Sequence, residues 1–310
     1  MAKNLPLKRT YGLIGYPVKH SFSPAMHNAA FQALNINAEY KLFEVEPNNL
    51  EGFLLKKIEV KDTKGESFFS QDILGFNITI PHKVRASEIL LGETGIRLIR
   101  NIATEKDHYV FLSGAINTIK REHGKVDYRN TDAGGFIKSL AVDLQFNPEG
   151  KNIFVLGCGG AGRAIVAALT WKEIKKIYLY DTNQDAIKSA RQRFDRFSHV
   201  RDKLEYVLEK GELSRLINEC QLLVNASPVG MNEGDGSAID RKLFHKDLFV
   251  YDIVYNRETQ LIKDAKLSGL PATGGLGMLL YQGVEAFELW TGKKAPVEVM
   301  RKALTEAMNK

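Results

Sequence analysis

Residues 152–162 read NIFVLGCGGAG, and the fold is decided here. The apolar run 152–157 predicts a strand leading directly into Gly157-Cys158-Gly159-Gly160-Ala161-Gly162. Beyond it, apolar residues recur at helical spacing over 161–171. G-x-G-x-x-G between a strand and a helix has a mechanical reading. The first glycine permits a tight turn, the second lets backbone approach a pyrophosphate, and the third lets helix pack on strand. The orphan N–H groups and positive dipole end of such a helix favour an anion. A plain glycine-rich turn would need similar glycines, but the strand–turn–helix context favours a dinucleotide.

Outward from this loop the same alternation continues. Short apolar, β-branched runs stand at 11–15, 40–45, 76–81, 176–181, 204–208, 222–227 and 248–254, with helical periodicity between them, as at 186–194. The expectation is an α/β fold with parallel sheets covered by helices. At ~150 residues per domain, 310 residues predict two domains. Turn residues Asn147-Pro148-Glu149-Gly150 precede the fresh strand. Helical stretches 277–290 and 297–308 follow the last strand and must pack on something; crossing back to the first domain is one option. The charged segment 56–71, with Gly65 near its middle, and the segment 92–109 read as insertions or loops.

Composition excludes several classes. Apolar residues at 44% and charged residues at 26% argue against disorder, collagen-like repeats and a disulfide scaffold. Cys158 and Cys220, the two cysteines, fit a reducing compartment. No apolar run approaches 18 residues, the length of a bilayer span, and the first residues lack a secretory pattern; the expectation is a cytoplasmic protein without a membrane partner. Forty-three Lys and Arg against 37 Asp and Glu give +6, which by itself selects no partner. Nucleic-acid motifs and metal-ligand spacings are absent from the sequence.

Further residues attract attention by position. Asp181 ends the strand after the glycine loop, nineteen residues beyond Gly162. An acidic group there accepts bonds from the ribose hydroxyls of NAD and repels the extra phosphate of NADP. Thr182 follows it in place of an arginine, so the pair leans to NAD; the alternative is a helix N-cap at Asp181. Ser23 before Pro24 fits an N-cap, and Ser21 sets a second hydroxyl near that positive helix end, suited to a carboxylate. Simple capping by Ser23 explains the same residues. Asn77 and Thr79 share one face of the strand before Pro81-His82-Lys83, and Lys83 would stand at a strand's carboxyl end, where α/β sheets bind ligands. Asn117 and Asp132 lie in similar polar clusters.

Together, in this order, 14–31 (IGYPVKHSFSPAMHNAAF), 75–83 (GFNITIPHK), 114–118 (GAINT), 130–136 (NTDAGGF), 155–164 (VLGCGGAGRA), 224–231 (VNASPVGM), 252–256 (DIVYN) and the stretch from Gly275 (GLGMLLYQGVEAFELWTG) resemble the shikimate dehydrogenase family. The resemblance implies reversible reduction of 3-dehydroshikimate to shikimate with NAD(P), in aromatic amino-acid biosynthesis. It implies a catalytic pair, Lys83 and Asp132. It places Ser21 and Ser23 at the substrate carboxylate, and Asn77, Thr79, Asn117, Tyr255 and Gln282 around the ring hydroxyls. Gly157, Gly159, Gly160, Ala161 and Gly162 match the pyrophosphate loop, and Ile253 and Gly275 match positions near the nicotinamide. It implies an α/β protein with an N-terminal open α/β substrate domain, 1–132 completed by 277–310, and a Rossmann-type doubly wound dinucleotide-binding domain, 133–276, in a monomer or homodimer. The family's default cofactor is NADP, held by Asn-Arg-Thr where this chain has Asp181-Thr182-Asn183. Members with an acidic residue there tend to use NAD, and several oxidise quinate. Segments 56–75 and 90–112 look longer than the family's usual ones. The competing readings are a quinate/shikimate dehydrogenase of catabolism and a non-catalytic relative, which usually lacks the lysine or the aspartate.

Overall fold

The computed structural model describes residues 8–98 and 104–309, the side chains of 93–98 and 106 excepted. The chain divides into two compact units: Met1–Ile102, Ala115–Thr131 and Gln282–Lys310 form one, and Ala103–Gly114 with Asp132–Tyr281 the other.

The strands of the first unit are β1 (Arg9–Gly15), β2 (Ala38–Glu44), β3 (Glu59–Lys61), β4 (Ser67–Phe69), β5 (Ile73–Ile78), β6 (Thr118–Glu122) and β7 (Lys125–Arg129). Among the described residues, five of them make a sheet in the order β2-β1-β5-β6-β7. β1 is parallel to β2 and β5, while β6 and β7 add antiparallel at one edge. Helix Ser23–Ala33 makes the crossover from β1 to β2, as a parallel pair requires.

The trailing helices cover this sheet. Trp290, near the end of helix Leu276–Thr291, stacks 5.3 Å from Tyr11 and donates its indole N–H to the Ile119 carbonyl at 2.9 Å. A β-carbon on Gly75 would stand 2.4 Å from that indole, so only glycine lets the ring lie on β5. Helix Val297–Met308 buries Met300 and Leu304 and lies against helix Ser23–Ala33.

Segment 56–71 is ordered structure. β3 and β4 form an antiparallel hairpin, joined to β2 by the Thr63 N–H on the Leu42 carbonyl (2.9 Å) and by Lys41 on Asp62 (2.8 Å). Beneath it, half-buried Arg121 donates to the carbonyls of Phe53 and Leu54 at 3.0 Å, and to that of Ser70. Its guanidinium lies 4.9 Å over the Phe76 ring, and burial lowers its pKa to about 10. Of segment 92–109, residues 99–103 lie outside the described residues.

The second unit carries β8 (Asn152–Leu156), β9 (Lys176–Tyr180), β10 (Leu204–Val207), β11 (Leu222–Asn225), β12 (Phe249–Asp252) and β13 (Ala272–Thr273). Among the described residues they form one parallel sheet, ordered β10-β9-β8-β11-β12-β13. Ile153, Val155, Ile177, Leu179, Leu222 and Val224 enter one apolar cluster; Phe154, Leu156, Tyr178, Leu223 and Val250 enter the other. Burial on both faces is why these strands read as unbroken apolar runs. Tyr109 and Leu112, on helix Glu105–Ser113, belong to the first of these clusters. That packing draws 103–114 into the second unit, although the sequence groups the segment with the first.

Trp290→Ala removes the largest plate on the first sheet. We expect a loss of about 3–5 kcal/mol of unfolding free energy, measured by urea denaturation followed by far-UV circular dichroism. A loss below about 1 kcal/mol contradicts this account of the trailing helices.

Candidate active site

The glycine loop sits at the carboxyl edge of the second sheet. β8 ends at Leu156, and Gly157 turns with φ 102°. A β-carbon on Gly157 would stand 2.7 Å from the Ala226 carbonyl oxygen, and one on Gly162 2.0 Å from the carbonyl oxygen of Gly157. Gly159 occupies the cap of helix Gly160–Thr170 with no side-chain bond, and a β-carbon there would meet nothing within 4 Å. Gly160 and Ala161 open the helix. Open space over an uncapped helix start is a cradle that fits a pyrophosphate.

Asp181 is tied to this loop. Its Oδ2 accepts the Cys158 N–H at 2.7 Å and its Oδ1 the Asn183 N–H at 2.8 Å. The following helix is capped instead by Asn183, which accepts from Asp185 N–H (2.9 Å) and Ala186 N–H (3.3 Å). Asp181 is therefore not the N-cap. Thr182 is exposed. Arg163 closes the loop from the helix side, donating Nε–H to the Cys158 carbonyl at 3.1 Å and Nη2–H to Ser189 at 2.9 Å. Burial pushes the Cys158 thiol up to about 12, so it stays protonated.

Farther along the same edge, Gly275 donates its N–H to the Val254 carbonyl at 3.0 Å. A β-carbon on it would stand 2.0 Å from the Ile253 carbonyl oxygen. These two predicted positions are thus packed backbone to backbone. Beneath them, fully buried Asn225 and Asp252 end β11 and β12. Asp252 accepts from Asn225 Nδ2 (3.0 Å), Val254 N–H (3.0 Å) and Thr259 Oγ1 (2.7 Å). Burial nevertheless raises its pKa to about 6, with the donors opposing. Tyr255 is half-buried just beyond, its phenol pKa raised by burial.

In the first unit the polar residues converge at the ends of β1 and β5. Ser23 is the first residue of helix Ser23–Ala33, and Phe22 holds the cap position without a side-chain bond, so Ser23 does not cap as the sequence predicts. Ser21 Oγ instead accepts the Ser23 N–H at 3.2 Å. Ser23 is buried and hydrogen-bonds Tyr40. Tyr40 donates to Asn77 Oδ1 at 2.8 Å, and Asn77 Nδ2 donates to Thr118 Oγ1 at 2.9 Å. Thr118 donates to Asn117 Oδ1 at 3.1 Å; the Thr131 N–H donates to the same oxygen at 2.7 Å; Asn117 Nδ2 donates to Thr131 Oγ1 at 3.0 Å. One buried, hydrogen-bonded group therefore contains Ser23, Asn77 and Asn117.

Lys83 opens helix Lys83–Leu98 after a short turn. The Thr79 N–H bonds the Ile14 carbonyl (2.9 Å), and the His82 N–H bonds that of Thr79 (3.0 Å). The buried His82 ring bonds the Val45 carbonyl through Nε2 at 2.6 Å, and the Lys83 carbonyl accepts from Ile116 N–H at 3.0 Å. Burial lowers the His82 pKa, against its carbonyl partner. Gln282 is buried on helix Leu276–Thr291, and Asp132 is buried in the first turn of helix Thr131–Val142, where the second unit begins. Tyr40, His82, Thr118 and Thr131 carry these arrangements without being singled out in the sequence. The one available signal was a tyrosine inside a predicted strand, which reads first as core.

A parallel sheet with a glycine cradle, together with a second α/β unit holding a buried hydroxyl–amide group, defines a dinucleotide-dependent oxidoreductase. Residues 13–93 match the family described as "Shikimate dehydrogenase substrate binding domain", and 275–305 that described as "Shikimate 5'-dehydrogenase C-terminal domain". A curated relative from Methanopyrus kandleri, named shikimate dehydrogenase (NADP(+)), is 38% identical over 95% of this chain and 94% of its own. The crystal structure of shikimate dehydrogenase from Aquifex aeolicus superposes with a TM-score of 0.75 at 34% identity, covering 97% of this chain and 98% of the other. A Listeria monocytogenes shikimate 5-dehydrogenase, solved with shikimate and NAD, superposes at 0.76 with 26% identity, covering 98% and 99%. The chain belongs to the shikimate dehydrogenase family. Among the described residues no helix is long and apolar enough to cross a membrane, and no cluster of three or more metal-ligating side chains occurs.

The buried Asp252 makes stability pH-dependent. Its folded-state pKa lies above the ordinary carboxylate value, so the folded state binds this proton more tightly. That contribution is fully present below about pH 4 and is lost as pH rises through about 6. Between pH 5 and 7.5 the parent protein should lose roughly 1 kcal/mol relative to Asp252→Asn, measured by urea unfolding at each pH. Parallel pH profiles for the two proteins would refute the assignment.

Proposed function

We propose that the protein catalyses reversible hydride transfer between shikimate and a nicotinamide dinucleotide, interconverting shikimate and 3-dehydroshikimate. The buried group of Ser23, Asn77 and Asn117 carries this reading. It offers neutral donors and acceptors suited to a small polyhydroxylated acid, in a chain whose relatives bear that enzyme's name. The first unit is the substrate unit and the second the cofactor unit.

Ser21 and Ser23 hold the carboxylate. Asn77, Thr79, Asn117, Tyr255 and Gln282 hold the ring hydroxyls. Lys83 moves the proton of the reacting hydroxyl, and Asp132 is the second member of the catalytic pair; a proton shuttle at the alcohol oxygen is what secondary-alcohol oxidation requires of the protein. When bound, the dinucleotide would supply the hydride acceptor; Gly157, Gly159, Gly160, Ala161 and Gly162 would receive its pyrophosphate, and Ile253 and Gly275 would flank its nicotinamide. Asp181 and Thr182 receive the adenosine ribose and favour NAD. A carboxylate anchored by the Cys158 N–H cannot swing away from an added 2′-phosphate without breaking that bond, and like charges at close quarters cost affinity.

Turnover of shikimate and quinate with NAD and NADP, followed at the nicotinamide absorbance, tests the whole reading; kcat/KM for quinate above that for shikimate overturns it. Lys83→Ala should lower kcat by about 10²–10⁴-fold, and an unchanged kcat with a raised KM reduces Lys83 to a binding group. Asp181→Asn keeps an acceptor for the Cys158 N–H and removes the charge. It should raise kcat/KM with NADP by roughly 10-fold or more, and no gain confines Asp181 to holding the loop.

A further inference from the structure

The orientation of the Asn77 amide in the first unit is set by its hydrogen-bond partners, and two of these, Tyr40 and Thr118, lie outside every predicted role. A backbone N–H can only donate, so the Thr131 N–H (2.7 Å) makes Asn117 Oδ1 an acceptor. The Thr118 hydroxyl lies 3.1 Å from Asn117 Oδ1 and 2.9 Å from Thr131 Oγ1; with its proton directed to either, Thr118 Oγ1 accepts from Asn77 Nδ2 at 2.9 Å, and the same Nδ2 lies 3.5 Å from the Asn117 backbone carbonyl, which can only accept. Asn77 Oδ1 is then turned to Tyr40 and accepts its hydroxyl proton at 2.8 Å. An amide side chain has two orientations of nearly equal shape, and its hydrogen-bond partners alone choose between them. Thr118 and Tyr40 choose from opposite sides.

Tyr40 is itself held rigidly. It is 2% exposed, and its ring lies 4.4 Å from the His27 ring at an interplanar angle of 13°, with Trp290 at 5.9 Å. Burial keeps the phenol protonated, its pKa raised well above the usual value. Its hydroxyl proton is thus always available to Asn77.

We propose that Tyr40 is a positioning residue for substrate: its hydroxyl sets the orientation of the Asn77 amide and so presents the correct face of that amide to a ring hydroxyl. This rests on the proposed substrate role of Asn77. Tyr40→Phe deletes the proton and keeps the stacked ring. It should raise KM for shikimate about 10-fold, the worth of one hydrogen bond, with kcat and the KM for NAD nearly unchanged. A residue that only supported the fold would not split the constants in this way. In an Asn77→Ala background, Tyr40→Phe should add less than about twofold. Thr118→Val, which frees the same amide from the other side without touching the ring stack, should raise KM for shikimate in the same direction.

Unchanged KM in both Tyr40→Phe and Thr118→Val overturns the proposal. A full additional rise from Tyr40→Phe in the Asn77→Ala background also overturns it, since Tyr40 would then act elsewhere. If Asn77→Ala itself leaves KM for shikimate unchanged, the substrate role of Asn77 is what fails.

Discussion

A β-carbon on Gly162 would stand 2.0 Å from the Gly157 carbonyl oxygen, and the cofactor unit is organised around that close approach. It lets helix Gly160–Thr170 start where β8 stops, so an uncapped helix end sits at the edge of the sheet. β8 lies between β9 and β11, and the strand after each of these departs to opposite sides. The loop therefore occupies the switch point of the sheet, where neighbouring connections part and leave a crevice. Its neighbours close it: Gly157 N–H on the Tyr180 carbonyl (2.8 Å), Ala226 N–H on that of Leu156 (2.7 Å), and Asp181 on Cys158. A larger residue at 162 would separate helix from strand and dismantle all three.

Strands and helices of the second unit were legible because both faces of its sheet are buried, which leaves long apolar runs cut by glycine. Run 76–81 shows the limit of that signal. β5 stops at Ile78, since the Thr79–Lys83 backbone is taken up by bonds to Ile14, Thr79 and Ile116. The hairpin at 59–69 was invisible because its strands are three residues each and largely exposed, and it is held by Lys41 on Asp62 and by the edge contact of the Phe68 and Phe43 rings rather than by a long alternating pattern. Helix Glu105–Ser113 looked like part of an insertion because its burial is against another segment of sequence, Phe197 and the second unit's core. Ser23 misled for a local reason: the helix begins one residue earlier than expected, and the Ala25 N–H that a Ser23 cap would take is bonded to the Phe22 carbonyl at 3.1 Å. The candidate residues themselves were found by type and position, but Tyr40 was not, because a tyrosine in a strand carries no mark of its hydroxyl's partner.

Asp181 joins an observed role to a proposed one. Its carboxylate fixes the Cys158 amide, and in the proposed reading its charge would face the extra 2′-phosphate of NADP. Two of its acceptor sites are engaged by backbone N–H groups, and a carboxylate has about four, so capacity for ribose hydroxyls remains. The +6 surplus of the chain therefore says little about ligand choice. In the proposed reading, selectivity rests on one anchored negative charge, whose position follows from the register of β8 against β9.

The two units differ in how they handle buried polarity. In the substrate unit the buried group is neutral throughout. Burial pushes His27, stacked on Tyr40, down to about 3, and among the described residues neither of its ring nitrogens has a hydrogen-bond partner, so it is an uncharged plate at any working pH. A neutral network avoids the desolvation cost of a buried ion pair, while its amides and hydroxyls remain directional. In the cofactor unit a single carboxyl, Asp252, gathers the ends of β11 and β12 and titrates near pH 6. The loops it gathers include Ile253 and Val254, which pack on Gly275. Moderate acidity should therefore alter the electrostatics on the cofactor side first and leave the hydroxyl–amide group unchanged.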